Sequence, residues 1–233
     1  MLQITFPRKF LAAMGFGLLA AAAWAQTLDA PPALELGDRW TYRFTNTGDK
    51  REPYVYVHEA KTLDDASVWL YGESQQPNAQ PPKYVWRYDV KHAEFVERFA
   101  FDPAAPNGAG KRLADRQGNN DSLQFPLAVG KTYAVKQKWD NGNGFTEYKA
   151  EVQAFEKVKV GAGEFDSYRI KYSGYWTNTS TPGRTYTGPA EWIRWYAPSV
   201  KSTVKSEYLD RTSDSRPWNQ NVTELVKWEP AKR

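Results

Sequence analysis

The chain has 233 residues, no cysteine, and 31 Lys and Arg against 27 Asp and Glu. Without cysteine there is no disulfide, no thiol nucleophile and no acylated-cysteine anchor, so stability in an oxidising compartment must come from burial. Basic residues are interleaved with acids rather than gathered into a stripe, which argues against nucleic acid as a partner.

Residues 1–25 read as an export signal. Arg8 and Lys9 form a positive start, Phe10 to Ala23 is uncharged and apolar, and Ala23-Trp24-Ala25 fits the small-x-small cleavage rule. Cleavage after Ala25 makes Gln26 the expected first residue, and loss of Arg8 and Lys9 takes the formal charge from +4 to +2. The apolar run is shorter than the roughly 18 residues a spanning helix needs. No second run of that length follows, so the expectation is a soluble periplasmic or secreted protein with no transmembrane segment.

After the signal, the pattern has period two. In "RWTYRF", Trp40, Tyr42 and Phe44 share one face and Arg39, Thr41 and Arg43 the other. "KYVWRYD" groups Tyr84, Trp86 and Tyr88; "TYAVKQKW" groups Tyr133, Val135 and Trp139. "SYRIKY" groups Tyr168, Ile170 and Tyr172, and "VKSTVKSEYL" groups Val200, Val204 and Tyr208. Such alternation is the mark of half-buried antiparallel strands. It predicts an all-β chain: a single curved antiparallel sheet or open barrel of about ten strands, with little helix beyond one short turn near 122–127.

"EKVKVGAGEFDSYRIKYSGYW" reads as two strands, 145–160 and 165–176, reversing at Gly161-Ala162-Gly163. Glycine supplies the positive φ such a corner needs. The corner predicts Gly163 as a backbone requirement and Phe165 as a core anchor. A phosphate loop would be followed by a helix, and here a strand follows. Loops rich in Pro, Gly and Asn fall at 74–82, 102–120, 177–188 and 211–220. The expected organisation is a single β domain, 26–233, with a long surface loop at 102–120. A short echo links "LELGDRWTYRF" with "PLAVGKTYAVKQKW". It fades after one strand and is read as two strands that begin alike.

The catalytic inventory is thin. His58 lies within a strand and His92 in a turn, with no HxH or HxxxH spacing, so neither a metal nor another cofactor is expected. Ser67, Ser122, Ser167 and Ser173 have no evident base, and no GxSxG elbow occurs. Glu151, Glu164, Asp166 and Glu191 lie near aromatics, and pairs of acids can hydrolyse glycosides. Aromatics are the larger anomaly, with 10 Trp, 14 Tyr and 11 Phe. They either fill a core that has no disulfides or line a groove. Trp86, Trp176, Trp192 and Trp195 are the candidates for lining one.

"LGDRWTYRF", "VKVGAGEFDSYRIKY" and "WYAPSVKSTVKSEY" together resemble bacterial periplasmic β-proteins of unknown function. That group pairs a Gly-Asp-x-Trp-x-Tyr start with a Val-x-x-Gly-x-Phe strand and a Trp-Tyr-Ala-Pro corner. In outline it is similar to the open β-barrels of periplasmic lipoprotein carriers, whose curved sheet holds an acyl chain. The resemblance implies a role with apolar ligands, although the carriers' plugging helices and a lipobox are absent from this sequence. Three readings follow. The first is an exported, non-enzymatic protein that binds a lipid or other amphiphile, or an envelope protein. The second is a carbohydrate-binding module, and the third a carboxylate-dependent hydrolase.

Overall fold

The computed structural model describes residues 27–48, 51–63, 67–76, 79, 81–113, 122–139 and 142–232. The expected signal and its cleavage site lie outside these residues. The first half supplies β1 (Thr27–Leu28), β2 (Arg39–Asn46), β3 (Tyr54–Leu63), β4 (Ser67–Ser74), β5 (Lys83–Asp89), β6 (Glu94–Phe101) and β7 (Ala109–Arg112). The second supplies β8 (Leu127–Ala128), β9 (Thr132–Lys138), β10 (Gly144–Val160), β11 (Gly163–Asn178), β12 (Tyr186–Ala197), β13 (Ser202–Arg211) and β14 (Pro217–Glu229). The only helical element among the described residues is a 3-10 turn at Pro198–Val200.

Period two becomes two faces. Trp40, Tyr42, Val135, Tyr148, Ala150, Ile170 and Tyr172 are buried on one side, while Arg39, Arg43, Lys136 and Lys149 are exposed on the other. Twelve strands form one antiparallel sheet in the order β7-β6-β5-β4-β3-β2-β14-β13-β12-β11-β10-β9, and β1 pairs with β8 apart from it. Two meanders thus meet where β2 zips to β14. The sheet curls strongly. Glu94 on β6 bonds Arg194 on β12 at 3.1 Å, although six strands separate them in the sheet. The face carrying both residues is therefore concave. The β7 and β9 edges do not pair, so the barrel stays open.

One end of the curl and its convex face are both covered. Residues 122–128 cross one end, burying Leu123 and Leu127, and the Ser122 carbonyl accepts from the Tyr133 hydroxyl at 2.8 Å and from Tyr172. On the convex face the β10–β11 hairpin folds back over its neighbours. Its tip reaches β14, where Ala162 N–H donates to the Leu225 carbonyl at 3.0 Å.

The echo between the halves is a shared backbone device. Gly37 and Gly130 both have positive φ, 97° and 89°, and each N–H donates 2.8 Å across to the neighbouring strand, at Ala60 and Val152. The likeness outlasts the sequence similarity. Bulges recur at Ala60/Thr62 and Val152/Ala154, and again at Arg87/Tyr88 and Trp195/Tyr196. Left-handed residues then recur at Ala93 (φ 54°) and Lys201 (φ 59°). Different side chains sustain one backbone path, which is why reading residues alone loses the echo after one strand.

Three expectations shift. The strands number fourteen among the described residues rather than about ten. The segment near 122–127 is irregular, with a cis Phe125–Pro126 bond, because it spans the barrel end with its carbonyls turned to tyrosine hydroxyls. The loop at 102–120 contains β7, which Gly108 (φ 73°) turns back onto β6. The predicted corner is present: β10 and β11 turn at Gly161-Ala162, and Gly163 has φ 140°. Phe165 packs against the core without being fully buried.

Candidate functional site

The concave face is not filled. An outer chamber of about 850 Å³ and an inner chamber of about 540 Å³ share Gln137, Trp192 and Ser206 in their walls, so they adjoin across these residues. Each lies within the range of about 300–1,000 Å³ usual for small-ligand sites. Among the described residues lining either chamber there is no Leu, Ile, Val or Met. The walls are aromatic rings and hydrogen-bonding groups.

At the mouth, Trp218 is 60% exposed and stands edge-on to Trp176, with ring centroids 5.8 Å apart. Trp139, Asn178, Asn219 and Asn221 surround this pair. Asp210 fixes the rim: it accepts from the Asn219 backbone N–H at 2.8 Å, the Asn219 amide at 2.9 Å and the Tyr208 hydroxyl at 3.1 Å. Trp176 is anchored by its indole N–H, which donates to the Arg211 carbonyl at 2.7 Å.

The inner chamber is ringed by Tyr42, Tyr56, Trp86, Phe95 and Tyr196. Burial raises the pKa of Tyr42, Tyr56 and Tyr196, so these hydroxyls stay protonated. His58 bonds the Tyr84 hydroxyl at 3.3 Å. Burial, aided by the charge of Arg98, lowers its pKa to about 3, so it is a neutral imidazole at ordinary pH. Arg194 pairs with Glu94 and reaches Thr203 Oγ1 at 3.0 Å. Burial is the largest single influence and opposes its charge, but Glu94 together with Tyr172 and Tyr133 outweighs it and holds the pKa above the usual arginine value.

Three of the four nominated tryptophans share this cavity. Trp192 stacks on Tyr172 at 4.9 Å and divides the chambers, Trp86 lines the inner one and Trp176 the outer. Trp195 does not join them. It lies on the convex face beneath the folded hairpin, its indole N–H donating to Glu156 at 2.8 Å, with Arg169 and Lys205 against its ring. An odd spacing from Trp192 puts the two on opposite faces of one strand. Trp139 and Trp218 enlarge the site. The first was legible from the alternation of "TYAVKQKW"; the second sits beside a loop and has no periodic signal.

The acids considered for glycoside hydrolysis do not converge. Glu191 pairs with Lys171, Glu164 and Asp166 with Lys157, and Glu151 with Gln153, none of them lining either chamber. His92 is paired with Asp89 at 2.8 Å near the surface. Among the described residues no three His, Cys, Asp or Glu gather as a metal site, and no helix is long and apolar enough to cross a membrane.

No protein-family model matches the chain, and no curated protein matches it in sequence. Solved structures of similar outline include a protein described as exported, with a YmcC-like fold, from Bacteroides fragilis. It shares 17% identity over 86% of this chain and 99% of that one, at TM-score 0.44. A protein described as a lipoprotein from Parabacteroides distasonis shares 13% over 88% and 100%, at TM-score 0.43. The hypothetical lipoprotein YmcC of Escherichia coli shares 8% over 85% and 87%, at TM-score 0.41. At these scores none of them bears on what this chain binds.

Proposed function

We propose that this chain is an exported, non-catalytic binding protein whose concave cavity takes an amphiphilic ligand. One observation carries the reading: two chambers of small-ligand size adjoin on the concave face, with Trp192 in the wall of both. A single curved sheet with no helix among the described residues on its concave side must either close on its own side chains or leave room, and this one leaves room. Export rests on the charged, apolar and Ala-Trp-Ala pattern of residues 1–25. Binding rather than chemistry is supported by the neutral His58 and by the dispersal of the candidate acids.

The wall composition ranks the ligands. Flat rings edged by carboxamides suit a molecule with flat apolar faces and hydroxyl edges, as a saccharide or glycoside has. The rings cover its C–H faces, and Asn, Gln, Ser and Thr pair its hydroxyls. An acyl chain is the second reading, favoured by the cavity's aromatic surface, but flexible chains are better matched by adaptable aliphatic walls.

The test is a titration of purified, detergent-free protein with neutral oligosaccharides, octyl glucoside, fatty acids and phospholipid vesicles, followed by Trp emission and native mass. Saturable quenching by the sugar-bearing probes, weakened in Trp192→Ala, is the expected result. Saturation by fatty acids alone would select the acyl reading. No saturable change with any probe would overturn the proposal and leave contact with an envelope protein as the role. Intact mass of the periplasmic form should begin at Gln26.

A further inference from the structure

We infer that the inner chamber selects a ligand bearing an anionic group, a carboxylate or phosphate, and that Arg98 holds it. This rests on the proposed binding role of the cavity and specifies its ligand.

Arg98 is opposite Trp86 in the β5–β6 ladder and lines the inner chamber with it. Its guanidinium carbon lies 4.3 Å from the Tyr84 ring centroid and 5.8 Å from that of Trp86, so the cation is packed on aromatic faces. Its Nε is buried and has no hydrogen-bond partner, and among the described residues no carboxylate forms an ion pair with it. The neighbouring arginines differ. Arg194 is matched by Glu94, and Glu97, next to Arg98 in sequence, is taken by Arg87 at 2.6 Å and Arg112 at 3.3 Å on the other face. The described charges lining the chamber are thus Arg98 and Arg194 against Glu94, one positive charge in surplus.

A second group points the same way. The Tyr196 hydroxyl faces this chamber, is buried, and also has no partner. Leaving a buried arginine Nε and a buried phenol unpaired is costly. Both are matched by a ligand that brings an anion to the guanidinium fork and an acceptor or donor to the phenol. Arginine holds carboxylates and phosphates through two parallel N–H bonds, and low local dielectric strengthens them. The source of the anion is an acidic sugar or the head of an acyl chain, and the chemistry of recognition is the same.

Calorimetric titration with matched probes tests this: octyl glucuronide against octyl glucoside, and decanoate against decanol. In whichever pair binds, the anionic member should bind about tenfold tighter or more, and added NaCl should narrow that gap. Arg98→Met should erase the preference by weakening the anionic probe toward its neutral partner, while Arg98→Lys should keep part of it. The urea midpoint of Arg98→Met should equal or exceed that of the parent, because a half-buried cation with no carboxylate partner is removed; a large drop would mark Arg98 as structural. Equal binding of neutral and anionic probes, or a preference that survives Arg98→Met, would overturn the inference and leave the cavity's binding role standing. Failure of all four probes to bind would overturn both.

Discussion

Asp38 and Lys201 are 163 residues apart and form an ion pair of 2.7 Å with the carboxylate fully buried. Asp38 also accepts from the backbone N–H of Glu35 at 2.8 Å and of Ala231 at 3.0 Å. Two residues on, the Trp40 indole donates to the Val200 carbonyl at 2.7 Å, and Tyr42 shares a 2.8 Å bond with Ser202. The Gly-Asp-x-Trp-x-Tyr start and the corner after Trp-Tyr-Ala-Pro are thus two halves of one lock joining β2 to β13. Asp38→Ala leaves the Lys201 ammonium with the Glu35 carboxylate at 3.3 Å and strands two backbone donors, and should lower the urea-derived stability by about 3–5 kcal/mol. A loss under 1 kcal/mol would show that water replaces the carboxylate.

Acid should weaken the fold through His58. Its folded pKa, about 3, lies below the unfolded value of 6.5. The unfolded chain therefore binds the proton first as pH falls. The contribution is fully present above pH 6.5 and is lost as pH drops toward 3, at up to about 1.4 kcal/mol per pH unit. Urea midpoints between pH 7 and 5, above most carboxylate titration, should fall in the parent and stay flatter in His58→Phe. Parallel profiles would assign the acid sensitivity elsewhere.

Trp192 and Trp195 should separate binding from stability. Trp192→Ala opens the wall between the chambers and should reduce ligand affinity about tenfold or more, in the manner of a central aromatic anchor. Trp195→Ala leaves the cavity untouched but removes the ring beneath the β10–β11 hairpin, at a stability loss of about 3–5 kcal/mol. Equal loss of affinity in both variants, with folding intact, would contradict the two-face assignment.

Two glycines on β11 should respond differently to alanine. A Cβ at Gly174 would lie 1.8 Å from the Glu147 carbonyl oxygen on β10, so the strands must part. Gly174→Ala should cost about 1–3 kcal/mol or more through overpacking. Gly163 has room for a Cβ but sits at φ 140°, so Gly163→Ala should cost about 1 kcal/mol through backbone strain alone. Thermal midpoints that rank the two in the reverse order would place the tight contact at the hairpin tip instead.

Alternation in the sequence was enough to determine the β class, the strands around Trp40, Tyr84, Val135, Ile170 and Val204 with most of their inward residues, and the corner at Gly163. Each is a local property: period two follows from strand geometry, and a reversal follows from residues that tolerate positive φ. It also brought Trp86, Trp176 and Trp192 forward as residues of the inner face. Which strands meet is a different matter. Nothing in the spacing of Glu94 and Arg194 marks them as partners, because their contact depends on how far twelve strands curl together. That curl also decides whether inward rings interlock as a core or stand apart around a cavity. Trp195 was misplaced because faces alternate residue by residue, and only the hairpin folded over the convex side explains why a tryptophan points there. Arg98 looks like any basic residue of an alternating strand. Its surroundings, two rings and no carboxylate, were assembled by the tertiary structure alone.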